Sequence, residues 1–143
     1  MGTPSSVFGR PPKRGSSIVH DDPIESLRSL CTALPEVEER LSHGEPTWFI
    51  RGKKVFVMLS NHHHDDRLAF WCAAPEGAQE ILVESAGEKF FRPPYVAHRG
   101  WLGVYLDVPV DWDEIADIVI DAYCQIAPAR LAEQARDQQR RAP

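Results

Sequence analysis

The sequence predicts a two-layer α+β domain, an antiparallel sheet of about five strands packed against helices in the order α(α)-βββ-α-ββ-α. Three observations carry this. Residues 47–73 hold three short apolar, β-prone runs whose connections are too short for a crossover, so they form an antiparallel meander. Residues 111–126 read as a capped helix with one continuous apolar stripe. The chain, 143 residues with 43% hydrophobic and 26% charged side chains, has the composition of a globular domain and the length for a single core.

Each element follows from local chemistry. Residues 1–20 combine Gly, Pro, Ser and three bases with few large apolar side chains, the composition of a disordered basic arm. A helix starts at Asp21 or Asp22, with Asp22 as N-cap, Pro23 at N1 and Glu25 at N3. Ile24, Leu27, Leu30, Cys31 and Leu34 form its apolar face. After Pro35, Val37 and Leu41 sit four apart and predict a second helical piece over 36–41, ended by His43-Gly44-Glu45-Pro46. Strands are expected at 47–50, 54–60 and 67–73, joined by the Arg51-Gly52-Lys53 turn and the polar connection 61–66. Pro75 opens a helix near 76–86, with Ala78, Leu82 and Ser85 inward and Gly87 as C-cap. Lys89 to Arg92 forms a fourth strand, stopped by Pro93-Pro94 because proline supplies no ladder donor. Trp101 to Val108 is the last strand.

In the final helix Asp111 is the N-cap and Glu114 sits at N3, while Ile115, Ile118, Val119, Ala122, Tyr123 and Ile126 share one face. Residues 130–141 could extend as a polar helix but offer only Leu131 to bury, so the segment is expected to fray. The organisation is therefore a disordered arm (1–20), a single domain (21–131) and a flexible polar tail (132–143).

Charge narrows the function. The net −5 divides into +3 over residues 1–20, +2 over 129–143 and −10 over 21–128. Affinity for DNA rests largely on neutralised phosphates, so the acidic core disfavours a broad nucleic-acid surface and leaves that role to a local patch or to the basic ends. No apolar run approaches the roughly 20 residues of a bilayer span. Residues 1–17 lack a hydrophobic signal core. Cys31, Cys72 and Cys124 stand in apolar surroundings without motif spacing and read as reduced packing thiols. A cytoplasmic location without a membrane partner is expected. Phosphate-binding glycine loops, HExxH, GxSxG and CxxC are absent from the sequence, and no cofactor is indicated.

Three stretches carry a family resemblance: G-E-P-T-W-F-I-R-G-K-K-V-F-V at 44–57, R-P-P-Y-V-A-H-R-G-W-L-G-V-Y-L-D at 92–107, and A-Y-C-Q-I-A-P-A-R-L at 122–131. They resemble the MmcQ/YjbR family, and L-A-F-W-C-A-A-P at 68–75 is similar to a variant in its longer bacterial members. The resemblance spans about residues 22–131. It implies the YjbR-like α+β fold, which is similar to secretion-chaperone-like folds, and a DNA-binding role drawn from a double-wing shape. Some family patterns place a lysine near the position of Trp71, where this chain has none.

The candidate sites are four. Arg92, Tyr95, His98, Arg99 and Trp48 form an aromatic and basic set suited to a protein partner or a small anionic ligand, with the proline-stiffened 92–101 loop as its scaffold. Trp71 and Trp101 read as strand residues packed in the core. The turn at Arg51, Lys53 and Lys54 is the alternative, a wing touching the phosphates of nucleic acid. His62, His63 and His64, followed by Asp65 and Asp66, supply metal-ligand residue types on a loop without fixed geometry. The same loop offers Asn61, His63 and Asp65 or Asp66, residue types used in formyl transfer, without the nucleotide fold of such transferases. The leading expectation is a non-enzymatic binding domain.

Overall fold

Asp22 accepts a hydrogen bond from the Ile24 N–H at 2.9 Å, and helix α1 (Pro23–Thr32) follows with proline in its first turn. The computed structural model describes residues 22–62 and 66–141, so the basic arm expected over 1–20 lies outside the described residues. Next come strands β1 (Val37–Ser42) and β2 (Glu45–Ile50). The helical piece expected over 36–41 is therefore a strand. Val37 and Leu41 do fit helical spacing, but His43 and Gly44 at φ 54° and 82° form a two-residue turn that folds the chain back, pairing Ser42 with Glu45 and Val37 with Ile50. So short a run has little helical preference with which to resist strand pairing.

The remaining elements are β3 (Lys54–Asn61), β4 (Leu68–Cys72), α2 (Ala78–Ser85), β5 (Phe90–Phe91), β6 (Leu102–Tyr105), α3 (Trp112–Ile126) and α4 (Ala129–Arg141). Together the strands make one six-stranded sheet in the order β1-β2-β3-β4-β6-β5, every neighbouring pair antiparallel. The class is α+β as expected, with a sixth strand gained from the segment read as helix. Helix α2 ends on Ala86 rather than Gly87, and none of its side chains is fully buried.

One sheet face forms the core with the helices. Trp48, Val57, Cys72 and Leu102 line up across four strands; Leu59, Phe70, Val104 and Phe90 form the next row, and all are buried. Helix α3 lays Ile115, Val119, Ala122 and Tyr123 on this face. A bulge between Trp48 and Phe49 interrupts the β2–β3 register, and the nearby Phe56 ring meets Tyr123 edge-on at 5.4 Å. Tyr123 donates its hydroxyl proton to the Pro35 carbonyl at 2.6 Å, and burial pushes its pKa up to about 12. Burial also pushes up the Cys31 and Cys72 thiols, so both behave as apolar packing groups and not as nucleophiles.

The segment expected as a flexible polar tail is helical to Arg141. Leu131 and Ala135, four apart, are fully buried. Around them Arg136 pairs with Asp121 at 3.0 Å, Gln138 donates to the Ala33 carbonyl at 3.1 Å and Gln139 donates to Asp117 at 2.8 Å. An alanine beside a leucine, framed by polar groups that reach α1 and α3, is enough to dock a helix whose sequence looks wholly polar. Among the described residues, no helix is long and apolar enough to cross a membrane.

Candidate functional site

The outer face of the sheet carries its own apolar row. Thr47, Met58, Trp71 and Gly103 are paired across β2, β3, β4 and β6. The first three floor a cavity of about 470 Å³. His43 and Glu45 from the β1–β2 turn border one side, and Tyr95 and Val96 wall another. The Glu45 carboxylate accepts the Asn61 N–H at 3.1 Å and its carbonyl accepts the Thr47 hydroxyl at 3.1 Å, so the turn is pinned to the neighbouring strands. At the fourth position of the row, the Phe91 ring lies over Gly103 and stacks on Tyr105 at 4.5 Å.

The loop that walls the cavity is held from several sides. Pro93 is buried. The Val96 N–H donates to the Pro94 carbonyl at 2.8 Å, closing a γ-turn with Tyr95 at φ 70°. A left-handed backbone at a bulky residue costs on the order of 1–3 kcal/mol and persists where surroundings impose it, often at functional sites. A 3₁₀ turn over Ala97–Arg99 follows. Gln79 of α2 donates to the carbonyls of Ala97 and Trp101 at 3.0 and 2.5 Å, tying the loop to the domain. Tyr95 is thus 76% exposed on a rigid support.

The residues proposed from sequence separate into distinct places. Tyr95 is at the cavity. Trp48 is not available to a ligand: it is fully buried on the opposite sheet face, and its indole N–H donates to Glu39 at 3.0 Å. Arg99 sits with its guanidinium 5.1 Å from the Trp101 ring centre and borders a second, open recess of about 410 Å³. Lys53 and Lys54 line that same recess, with Gln125 and Ile126 of α3 opposite. Arg51 is ion-paired with Glu36 at 2.8 Å. Arg92 and His98 are exposed and line neither space. Trp71 and Trp101 are buried as expected, although Trp71 also floors the cavity.

The polar loop after β3 contributes little that can be placed. His62 turns at φ 60° with Nδ1 hydrogen-bonded to Asn61 Oδ1, and Asp66 is exposed. His63, His64 and Asp65 lie outside the described residues. Among the described residues, no group of three His, Cys, Asp or Glu side chains is placed to hold a metal.

Sequence reasoning missed Thr47, Met58 and Ser60 as site residues. The signal was present in Lys54–Asn61, which is buried on both faces where a one-sided sheet would alternate.

The YjbR family model matches residues 32–125. Among solved structures, the crystal structure of Deinococcus radiodurans protein DR2400, with domain DUF419, is similar at a TM-score of 0.64 and 15% identity, covering 83% of this chain and 91% of that one. No curated protein matches. At that identity the likeness bears on the fold alone.

Proposed function

The chain belongs to the YjbR family, and from that premise we propose that it is a non-enzymatic binding domain that takes an apolar side chain of a partner protein into the cavity on the outer face of its sheet. The observation that carries this reading is the cavity itself. Its floor is Met58 and Trp71, and its wall is an exposed tyrosine held in a left-handed turn. Aromatic walls around an apolar floor suit a hot-spot side chain. Among the described residues no lysine or arginine lines it, which favours a protein over a small anion at this place. We assign the activity to the cytoplasm, where unpaired thiols such as Cys31 and Cys72 stay reduced.

The test is a displayed peptide library selected against the full chain. Peptides with one large apolar anchor are expected. Tyr95→Ala should weaken the selected peptides by about tenfold to a hundredfold, the usual range for losing an aromatic hot spot. Peptides that bind wild type and Tyr95→Ala equally well would remove this reading.

A second reading has its own support. Lys53, Lys54 and Arg99 converge on one recess, and among the described residues none of the three forms an ion pair. That is the arrangement for phosphates of a nucleic acid. The strongly acidic remainder of the domain opposes it. Fluorescence anisotropy with single-stranded and duplex DNA across salt decides: if this reading holds, binding at low salt falls steeply as salt rises and is lost in Lys54→Glu with Arg99→Glu. No binding, or binding indifferent to salt, removes it.

A further inference from the structure

The geometry points to a second copy of this chain as the partner of strand β1, the two strands pairing antiparallel about a two-fold axis to continue the sheet. β1 is an edge of the sheet and runs six residues, with Leu41 73% exposed. An edge of this length is a template for another strand unless something blocks it. The direction of its backbone groups follows from its partner. The Arg51 N–H donates to the Glu36 carbonyl at 2.8 Å, and Pro46, which has no N–H, stands opposite Leu41. The bonds to β2 therefore come from even-numbered residues, and the N–H and C=O groups of Val37, Glu39 and Leu41 face outward.

Only one self-pairing uses those groups and satisfies the charges. Centring the two-fold axis on Glu39 hydrogen-bonds Val37 to Leu41 of the second copy, twice, and Glu39 to its equivalent. Between them Glu38 falls opposite Arg40, also twice, at the close, non-hydrogen-bonded positions where cross-strand charges act most strongly. Shifting the axis by one residue sets Arg40 against Arg40 or Glu38 against Glu38, a like pair at the same close spacing. The one like pair in the favoured register, Glu39 with Glu39, is already compensated. Each carboxylate accepts from Arg28 at 2.9 Å and from Trp48 at 3.0 Å within its own subunit. Glu38 and Arg40 are bonded to each other at 3.1 Å on the outer face, and the Arg40 guanidinium also lies 3.9 Å from the Phe49 ring centre, so pairing across the edge exchanges the bond within each subunit for one between subunits. On the helix-covered face, Val37 and Leu41 would shield each other, which accounts for a leucine in so open a position.

The measurement is sedimentation equilibrium of the full chain over a wide concentration range, with circular dichroism to confirm the fold of each variant. A concentration-dependent dimer is expected. Arg40→Glu and Glu38→Arg should each raise the dimer dissociation constant by about tenfold, since each converts two attractive cross-strand pairs into repulsive ones. The double variant, Glu38→Arg with Arg40→Glu, should regain the dimer. Arg40 also donates to the Gly52 carbonyl at 2.9 Å, so Glu38→Arg is the decisive single change if Arg40→Glu loses its fold. A monomer at every concentration, a dimer indifferent to both reversals, or a double variant that stays monomeric would each overturn the pairing.

Discussion

Trp48→Ala is expected to lower the unfolding free energy by about 3–5 kcal/mol, among the largest losses any single truncation in this chain would produce. The indole is fully buried on the helix-covered face of the sheet, in the row that runs through Val57, Cys72 and Leu102. It also anchors a charge. Glu39 is half-buried, and its carboxylate accepts one hydrogen bond from the indole N–H and a shared one from the Arg28 Nε–H. Removing the indole leaves a cavity and removes one of those donors. Trp48→Phe separates the two effects. It keeps most of the apolar volume and loses the donor, so about 1–2 kcal/mol is expected, with Arg28 still compensating Glu39. Urea unfolding followed by circular dichroism measures both. A Trp48→Ala variant as stable as wild type would show that the tryptophan is not the core anchor the packing requires. At temperatures where Trp48→Ala remains folded, the peptides captured by the outer-face cavity should bind it nearly unchanged, in contrast to Tyr95→Ala.

That contrast shows what was legible in the sequence and what was not. The composition of Trp48 gives no hint of which sheet face it occupies. The face depends on strand register, and a shift of one residue moves every side chain to the other side. The bulge beside Trp48 adds such a shift, so alternation read along β2 and β3 cannot be carried across it. The meander, the capped helix α3 and its stripe were readable because their signals are local: an Asp cap, a 3.6-residue period, short turns. Strand β1 was not, because Val37 and Leu41 satisfy either period and the deciding contact is the return turn at His43-Gly44. The C-terminal helix was readable as a polar extension but its docking was not, because that uses one alanine and three polar side chains that no hydrophobic count records. Its bases are also less free than an arm's would be, since Arg136 and Arg140 are paired with Asp121 and Asp137. Tyr95 was legible as a candidate from its proline-framed loop. The cavity beside it was not, because its floor comes from three different strands.

The end of that floor supplies the second large effect. In a strand, alanine normally outperforms glycine by roughly 0.5–1 kcal/mol, so Gly103→Ala would ordinarily stabilise. Here the opposite is expected, a loss of about 2–3 kcal/mol. A Cβ at Gly103 would occupy the space of the Phe91 ring. To admit it, Phe91 must leave Tyr105, on which it stacks at 4.5 Å, and β5 pairs with β6 at only two residues, so little else holds it. Tyr105 in turn lies under the Arg67 guanidinium at 3.7 Å, and Arg67 is bonded twice to Asp107 at 2.7 and 2.8 Å, so the disturbance reaches the end of β6. The clash has a specific partner, which makes the claim testable by a double-mutant cycle. Phe91→Ala is destabilising alone, yet in the Gly103→Ala background it removes the obstruction, and the pair should cost less than the sum of the singles by about 1–3 kcal/mol. Additive losses would mean that the ring does not rest on the glycine. The same cycle bears on binding. Thr47, Met58 and Trp71 floor the cavity, and Phe91 covers the next position of their row. Phe91→Ala should lengthen the apolar floor past Trp71 and relax the size limit on the anchor residue among selected peptides, whereas Gly103→Ala in that background should narrow it again.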